Sequence, residues 1–109
     1  MKLETNKLNN HLVIVLDGPL NLYNVDILKQ GVLNLTEMDS FDNVIIDLEK
    51  AEYIDSSGIA ALNFVKRKLS QVDKELYLHK LNDFVQNTLR LSGLGNHFKI
   101  LEIENAKEI

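Results

Sequence analysis

Leu12-Val13-Ile14-Val15-Leu16, closed by Asp17-Gly18-Pro19, is a continuous apolar run that ends in a sharp exit. Such a run suits a strand buried on both faces, and the Gly-Pro pair marks its end. Val44-Ile45-Ile46-Asp47-Leu48 repeats the pattern. Between the two, Val25, Leu28, Val32 and Leu35 recur at steps of three and four, with Asn24 ahead of them as the expected cap. That spacing predicts an amphipathic helix. Two buried strands joined by a helix imply parallel pairing through a right-handed crossover.

The alternation continues through the second half. Ile59, Leu62, Val65 and Leu69 form a helical stripe, and Glu75 to Lys80 alternates like a strand. Asn82 or Asp83 is placed to cap a third helix carrying Val85 and Leu89. Ser92-Gly93-Leu94 reads as its end, with Gly93 left-handed and Leu94 folding back as the apolar contact. Phe98 to Ile103 is expected to be a last strand, and Lys2 to Thr5 an edge strand reaching the Leu12 strand through a turn over Asn6 to Asn10. The expected fold class is α/β: a single domain over residues 1–109, with a small, mostly parallel sheet, an antiparallel N-terminal edge strand and helices packed on the sheet.

Bulk composition narrows the function. At 109 residues, 45% hydrophobic and 26% charged, the chain has the make-up of one globular domain. It has no apolar run long enough to span a bilayer, and its first residues lack the apolar stretch of a secretory signal, so a cytoplasmic protein without membrane insertion is expected. The absence of cysteine removes disulfides, thiolate nucleophiles and cysteine-ligated metals. A formal net charge of −4 argues against direct nucleic-acid binding. Lys66-Arg67-Lys68 is the one basic run, and inside an amphipathic helix it reads as a solvated face. His11, His79 and His97 are dispersed without metal-ligand spacing, so neither a metal nor a cofactor is expected.

In open α/β sheets the functional crevice lies beyond the carboxyl ends of the parallel strands. Two loops should meet there, Asp17 to Asn21 and Ile54 to Gly58. If their strands are neighbours, Asn21 and Asp55 come near Ser56 and Ser57. By itself Asp55-Ser56-Ser57-Gly58 is an ordinary helix start capped by Asp55. A hydroxyl there can also carry a phosphate, because the first N–H groups of a helix lack intrahelical partners and carry partial positive charge. A hydrolase is not expected: it would need His79 or His97 to reach Ser56 or Ser57, and the Gly-x-Ser-x-Gly nucleophile elbow is missing. Gly93-Leu94-Gly95 is no phosphate loop, because it follows a helix where such a loop would precede one. No residue is assigned a catalytic role.

The order of these pieces resembles the STAS domain family, the fold of bacterial anti-sigma factor antagonists. Gly18-Pro19-Leu20-Asn21 is similar to the family's Gly-x-Leu-Asp turn, and Tyr53-Ile54-Asp55-Ser56-Ser57-Gly58-Ile59 to its Asp-Ser-Ser/Thr-Gly-Leu loop. Leu91-Ser92-Gly93-Leu94 with Phe98-Lys99-Ile100 matches the family's closing Gly-Leu and strand. The resemblance implies that the first hydroxyl of the loop, here Ser56, accepts phosphate from an anti-sigma factor that is a serine kinase, with Ser57 as second choice. A serine phosphatase is the implied counter-partner. It further implies a partner contact built from Asn21, Asp55, Ser56, Ser57, Gly58 and Ile59, with Gly58 admitting the partner's backbone. Two positions depart from the family pattern: Asn21 stands where Asp is usual, and Ala60 where many antagonists carry a second Gly. The alternative is a constitutive STAS subunit, as in phospholipid-transport complexes, with Ser56 reduced to a helix cap. Ile59, Asn63 and Phe64 are the expected rim positions on the following helix, Phe64 falling off its main apolar stripe.

Overall fold

The computed structural model describes residues 1–37 and 40–101. Its elements are β1 (Leu3–Leu8), β2 (His11–Leu16), α1 (Val25–Thr36), β3 (Val44–Asp47), α2 (Ser56–Ser70), β4 (Leu76–His79), α3 (Asp83–Leu91) and β5 (Lys99–Leu101). The strands form one sheet in the order β1-β2-β3-β4-β5. β1 and β2 are antiparallel, and the other three pairs are parallel. Each parallel step needs a crossover, and α1, α2 and α3 supply them. Crossovers of one hand that always advance in the same direction place their helices on the same face of the sheet.

The register shows that face. Leu12 lies beside Val44 and Val44 beside Leu76; Ile14, Ile46 and Leu78 line up in the same way. These residues share one buried cluster with Leu28 and Val32 of α1, Leu62 and Val65 of α2, and Val85 and Leu89 of α3. On the opposite face Val13 and Ile45 form a second, smaller cluster, with Leu8, Val15, Tyr77 and Leu101 partly buried around it. Charged pairs surround that smaller cluster. Lys99 Nζ lies 2.5 Å from Glu75 Oε1 and holds its carboxyl below the usual carboxylate range. Lys80 bridges Glu49 at 3.0 Å and Asp47 at 3.6 Å, and its ammonium pKa is raised, chiefly by the hydrogen bond to Glu49.

Three local features differ from the sequence expectation. The edge strand runs to Leu8, because its turn needs only Asn9 and Asn10, both at positive φ (50° and 67°). Asn tolerates that conformation, and a two-residue turn of this kind matches the twist of a hairpin. Asn24 sits at the start of α1 but does not cap it: its backbone is helical, and its amide donates to the Pro19 carbonyl at 2.8 Å. The last strand begins at Lys99, one residue later than expected, and is described to Leu101; residues 102 and 103 lie outside the described residues.

The third helix follows expectation closely. Asn82 Oδ1 accepts from the Val85 N–H at 2.8 Å. At the other end Gly93 has φ 76°, the Leu94 N–H bonds the Leu89 carbonyl at 2.9 Å, and the Gly93 N–H bonds that of Arg90 at 3.0 Å. This is the paired arrangement of a glycine-terminated helix. Among the described residues no helix is long and apolar enough to cross a membrane.

Candidate functional site

β2 and β3 are adjacent and parallel, so the loops leaving their carboxyl ends start side by side. They stay paired beyond the strands. Leu20 and Ile54 form a parallel bridge, with the Leu20 N–H on the Tyr53 carbonyl at 3.1 Å and the Asp55 N–H on the Leu20 carbonyl at 3.3 Å. This extension fixes where α2 begins.

Asp55 then clips the two loops together. Its backbone is extended (φ −112°, ψ −173°), as a capping residue requires, and its Oδ1 accepts from the Gly58 N–H at 2.9 Å. Its Oδ2 accepts from the Leu22 N–H at 3.2 Å. Both carboxylate oxygens are thus engaged by the chain's own backbone. Gly58 is buried against Leu20, and a Cβ there would overlap the Leu20 carbonyl. The close backbone approach expected from a partner at Gly58 is made within the chain, by Leu20.

Ser56 is the first residue of α2 and is exposed, while Ser57 is half-buried. The Gly58 N–H is taken by Asp55 Oδ1 and the Ile59 N–H by the Asp55 carbonyl at 3.0 Å. The N–H groups of Ser56 and Ser57 stand at the positive end of the helix dipole. Asn21 joins the same corner: its Oδ1 accepts from the Tyr23 N–H at 3.0 Å, and its Nδ2 donates to Tyr53 Oη at 2.9 Å. The two loops therefore bring Asn21, Asp55, Ser56 and Ser57 together, as their order in the chain predicts. Ile59 turns partly inward against the core, and Ala60 is exposed.

The loops that Asp55 and Asn82 tie down carry exposed apolar side chains that the sequence reading missed. Tyr23 is 88% and Leu22 66% exposed, and Tyr53 is exposed beside them. Phe84, also exposed, sits in the first turn of α3, whose start is tied to the same region by Asn82 Nδ2 on the Ala51 and Glu52 carbonyls at 3.3 and 3.1 Å. Large apolar groups left in water close to one another mark interaction surfaces. One signal was available: Leu22 and Tyr23 belong neither to the β2 run nor to the α1 stripe.

Other expected candidates lie elsewhere. Phe64 is half-buried against the core, with the Lys29 and Lys68 ammonium groups over its ring. Asn63 Oδ1 is 2.9 Å from His97 Nε2. His79 Nδ1–H donates to the Leu101 carbonyl at 2.9 Å, so neither histidine is hydrogen-bonded to Ser56 or Ser57. Among the described residues no group of three or more His, Asp or Glu is placed to hold a metal ion.

Comparison with known proteins agrees with this architecture. The chain is 29% identical over 109 residues to a Bordetella bronchiseptica protein provisionally named as an anti-sigma factor antagonist, BtrV, covering 99% of this chain and 90% of that one. It is 28% identical over 102 residues to the anti-sigma-B factor antagonist of Staphylococcus aureus, covering 94% of each. Its fold superposes on the anti-sigma factor antagonist SpoIIAA in its unphosphorylated form with a TM-score of 0.77, at 21% identity over 94% of this chain and 90% of that one. On the phosphorylated form of the Bacillus protein the TM-score is 0.72, at 20% identity over 98% and 97%. Residues 2–106 match the STAS domain, and the chain belongs to that family.

Proposed function

We propose that this protein is an anti-sigma factor antagonist that binds a serine-kinase anti-sigma factor and is released when that kinase phosphorylates Ser56. The names of its relatives support the antagonist reading. The observation that carries the switch is the position of Ser56, exposed at the first residue of α2 in a loop already fixed by Asp55, Leu20 and Gly58. Charge can be added there without refolding anything.

The physical consequences follow from that position. A phosphate adds about −1.5 to −2 charges and three acceptor oxygens. The helix dipole tolerates them and Asp55 opposes them, so the fold changes little. A partner surface matched to a neutral hydroxyl would instead meet desolvated like charge, a mismatch of several kcal/mol. Leu22, Tyr23, Tyr53 and Phe84 supply apolar contact area, while Asn21, Asp55, Ser57 and Ile59 frame the hydroxyl. Gly58 acts indirectly, by letting α2 seat against Leu20. Ser56 is the acceptor in preference to Ser57 because it is the more exposed. The kinase supplies nucleotide, metal and base, so the protein serves as substrate and ligand with no catalytic residue or cofactor of its own. A serine phosphatase resets the cycle.

The test is binding of wild type, Ser56→Ala and Ser56→Asp to a serine-kinase anti-sigma factor from the same genome. Wild type and Ser56→Ala should bind alike, and Ser56→Asp about a hundredfold more weakly. Equal binding by Ser56→Asp overturns the reading.

A further inference from the structure

The lysines and arginines of this chain divide by what they touch. Lys80 and Lys99 pair with carboxylates. Lys7, Lys66 and Lys74 donate to the carbonyls of Ser40, His97 and Phe41, and Arg90 donates to the Asn87 side chain. Lys2, Lys29, Lys50, Arg67 and Lys68 make no ion pair among the described residues, and three of them, Lys29, Arg67 and Lys68, come from two helices and gather at one place. Lys29 Nζ lies 5.5 Å and Lys68 Nζ 5.6 Å from the centroid of the Phe64 ring. Phe64, Arg67, Lys68 and Gln71 line a shallow cavity of about 160 Å³ beside it. The basic run splits here: Lys66 turns towards His97 and Phe98, leaving Arg67 and Lys68 to this cluster.

We propose that this face of the α1–α2 pair is a docking surface for an acidic polypeptide segment of a protein partner, separate from the serine loop. Charge is the argument. In a chain of net charge −4, three cations meet at one place on the α1–α2 pair and none of them is ion-paired among the described residues. The dipole of α2 accounts for Arg67 and Lys68, which lie in its last turn. It does not account for Lys29, the fifth residue of α1, which lies past that helix's first turn and far from its carboxyl end. Two ammonium groups held at one ring repel each other. The negative face of the ring offsets this in part, and a carboxylate arriving between them removes it.

The spacing favours a row of carboxylates over a single oxyanion, because the positive groups come from two helices and flank an aromatic ring. Phe64 and Arg67 follow Ser56 by eight and eleven residues, which is roughly 12 and 17 Å along α2 at the helical rise. Those separations exceed the screening length of about 8 Å at physiological salt, so the phosphorylation state of Ser56 has little influence here. The proposal does not rest on the phosphoswitch.

The test titrates the isotope-labelled full chain with a hexaglutamate peptide at low ionic strength, read by amide and aromatic chemical shifts. Shifts should centre on Lys29, Phe64 and Lys68 and fade with added salt. The double variant Lys29→Gln, Lys68→Gln should weaken binding about fivefold, and Ser56→Asp should leave it unchanged. Shifts spread equally over Lys2 and Lys50, or binding unaffected by the double variant, overturn the proposal. So does inorganic phosphate reproducing the same shifts at equal concentration, which would make this a small-oxyanion site. Tighter binding of single-stranded RNA at the same residues also overturns it.

Discussion

Helices α2 and α3 begin on one plan, carried out with different residues. Each has a capping side chain that accepts from the N–H three residues on: Asp55 from Gly58 at 2.9 Å and Asn82 from Val85 at 2.8 Å. Each cap also ties down a neighbouring loop, Asp55 through the Leu22 N–H and Asn82 through the Ala51 and Glu52 carbonyls. The negative charge is placed differently. In α3 the cap is neutral and the first helical residue is Asp83; in α2 the cap is charged and the first helical residue is the neutral Ser56. The third position differs as well, with Val85 filling core space where Gly58 leaves none. The fold thus carries a permanent negative charge at one helix start and keeps the equivalent position of the other neutral and exposed. On the proposed function, a phosphate on Ser56 would be an added charge at a site whose backbone is already fixed.

The two helix starts are expected to respond most strongly to substitution at the third position. Gly58→Ala should destabilise by about 2–3 kcal/mol, because the Leu20 carbonyl it would overlap is backbone held in the Leu20–Ile54 bridge. Val85→Ala should cost about 2 kcal/mol for the opposite reason, a cavity left in the core. Urea unfolding measures both, and a Gly58→Ala variant as stable as wild type would break the account of the α2 start. At the cap, Asp55→Ala should lose about 1–2 kcal/mol, whereas Asp55→Asn, which gives α2 the α3 type of cap, should retain most of it. Giving α2 the first-position charge of α3, with Ser56→Asp, should change stability by no more than about 0.5 kcal/mol, since the dipole gain and Asp55 repulsion nearly cancel. A large loss there would mean the two starts are not equivalent.

The smallest effect is expected far from either helix start. Lys99 holds the Glu75 carboxyl below its ordinary value in the folded state. A carboxyl shifted that way contributes stability above its unfolded value and loses it as pH falls through the folded one. Wild type should therefore exceed Glu75→Gln slightly at neutral pH, and the two should converge on acidification below the usual carboxylate range. Because the pair is exposed, added salt should shrink the difference. Thermal unfolding at several pH values checks the sign.

What was legible in the sequence was local. Asn82 as a cap, Gly93-Leu94 as a helix end and the α1 and α2 stripes depend on residues within one or two turns of each other, and all are found in the structure. Asn24 was misread because its amide goes back to the Pro19 carbonyl, an alternative that composition does not rank. Gly58 answers to Leu20, thirty-eight residues away in sequence, so its packing role was invisible until β2 and β3 were placed side by side. The expectation that Asn21 and Asp55 would come near the serines depended on β2 and β3 being neighbours, which they are. Leu22, Tyr23, Tyr53 and Phe84 escaped because periodicity reports which apolar residues share a face and says nothing of those left in water.

On the proposed function, Ser56 is an exposed acceptor on a preformed helix start. The most direct test is the intact mass of the protein purified from its own host under resting and stressed conditions, with Ser56→Ala alongside. The expected result is a one-phosphate increase that varies with condition and vanishes in the variant. A mass that never changes, or a phosphate that survives in Ser56→Ala, would contradict it.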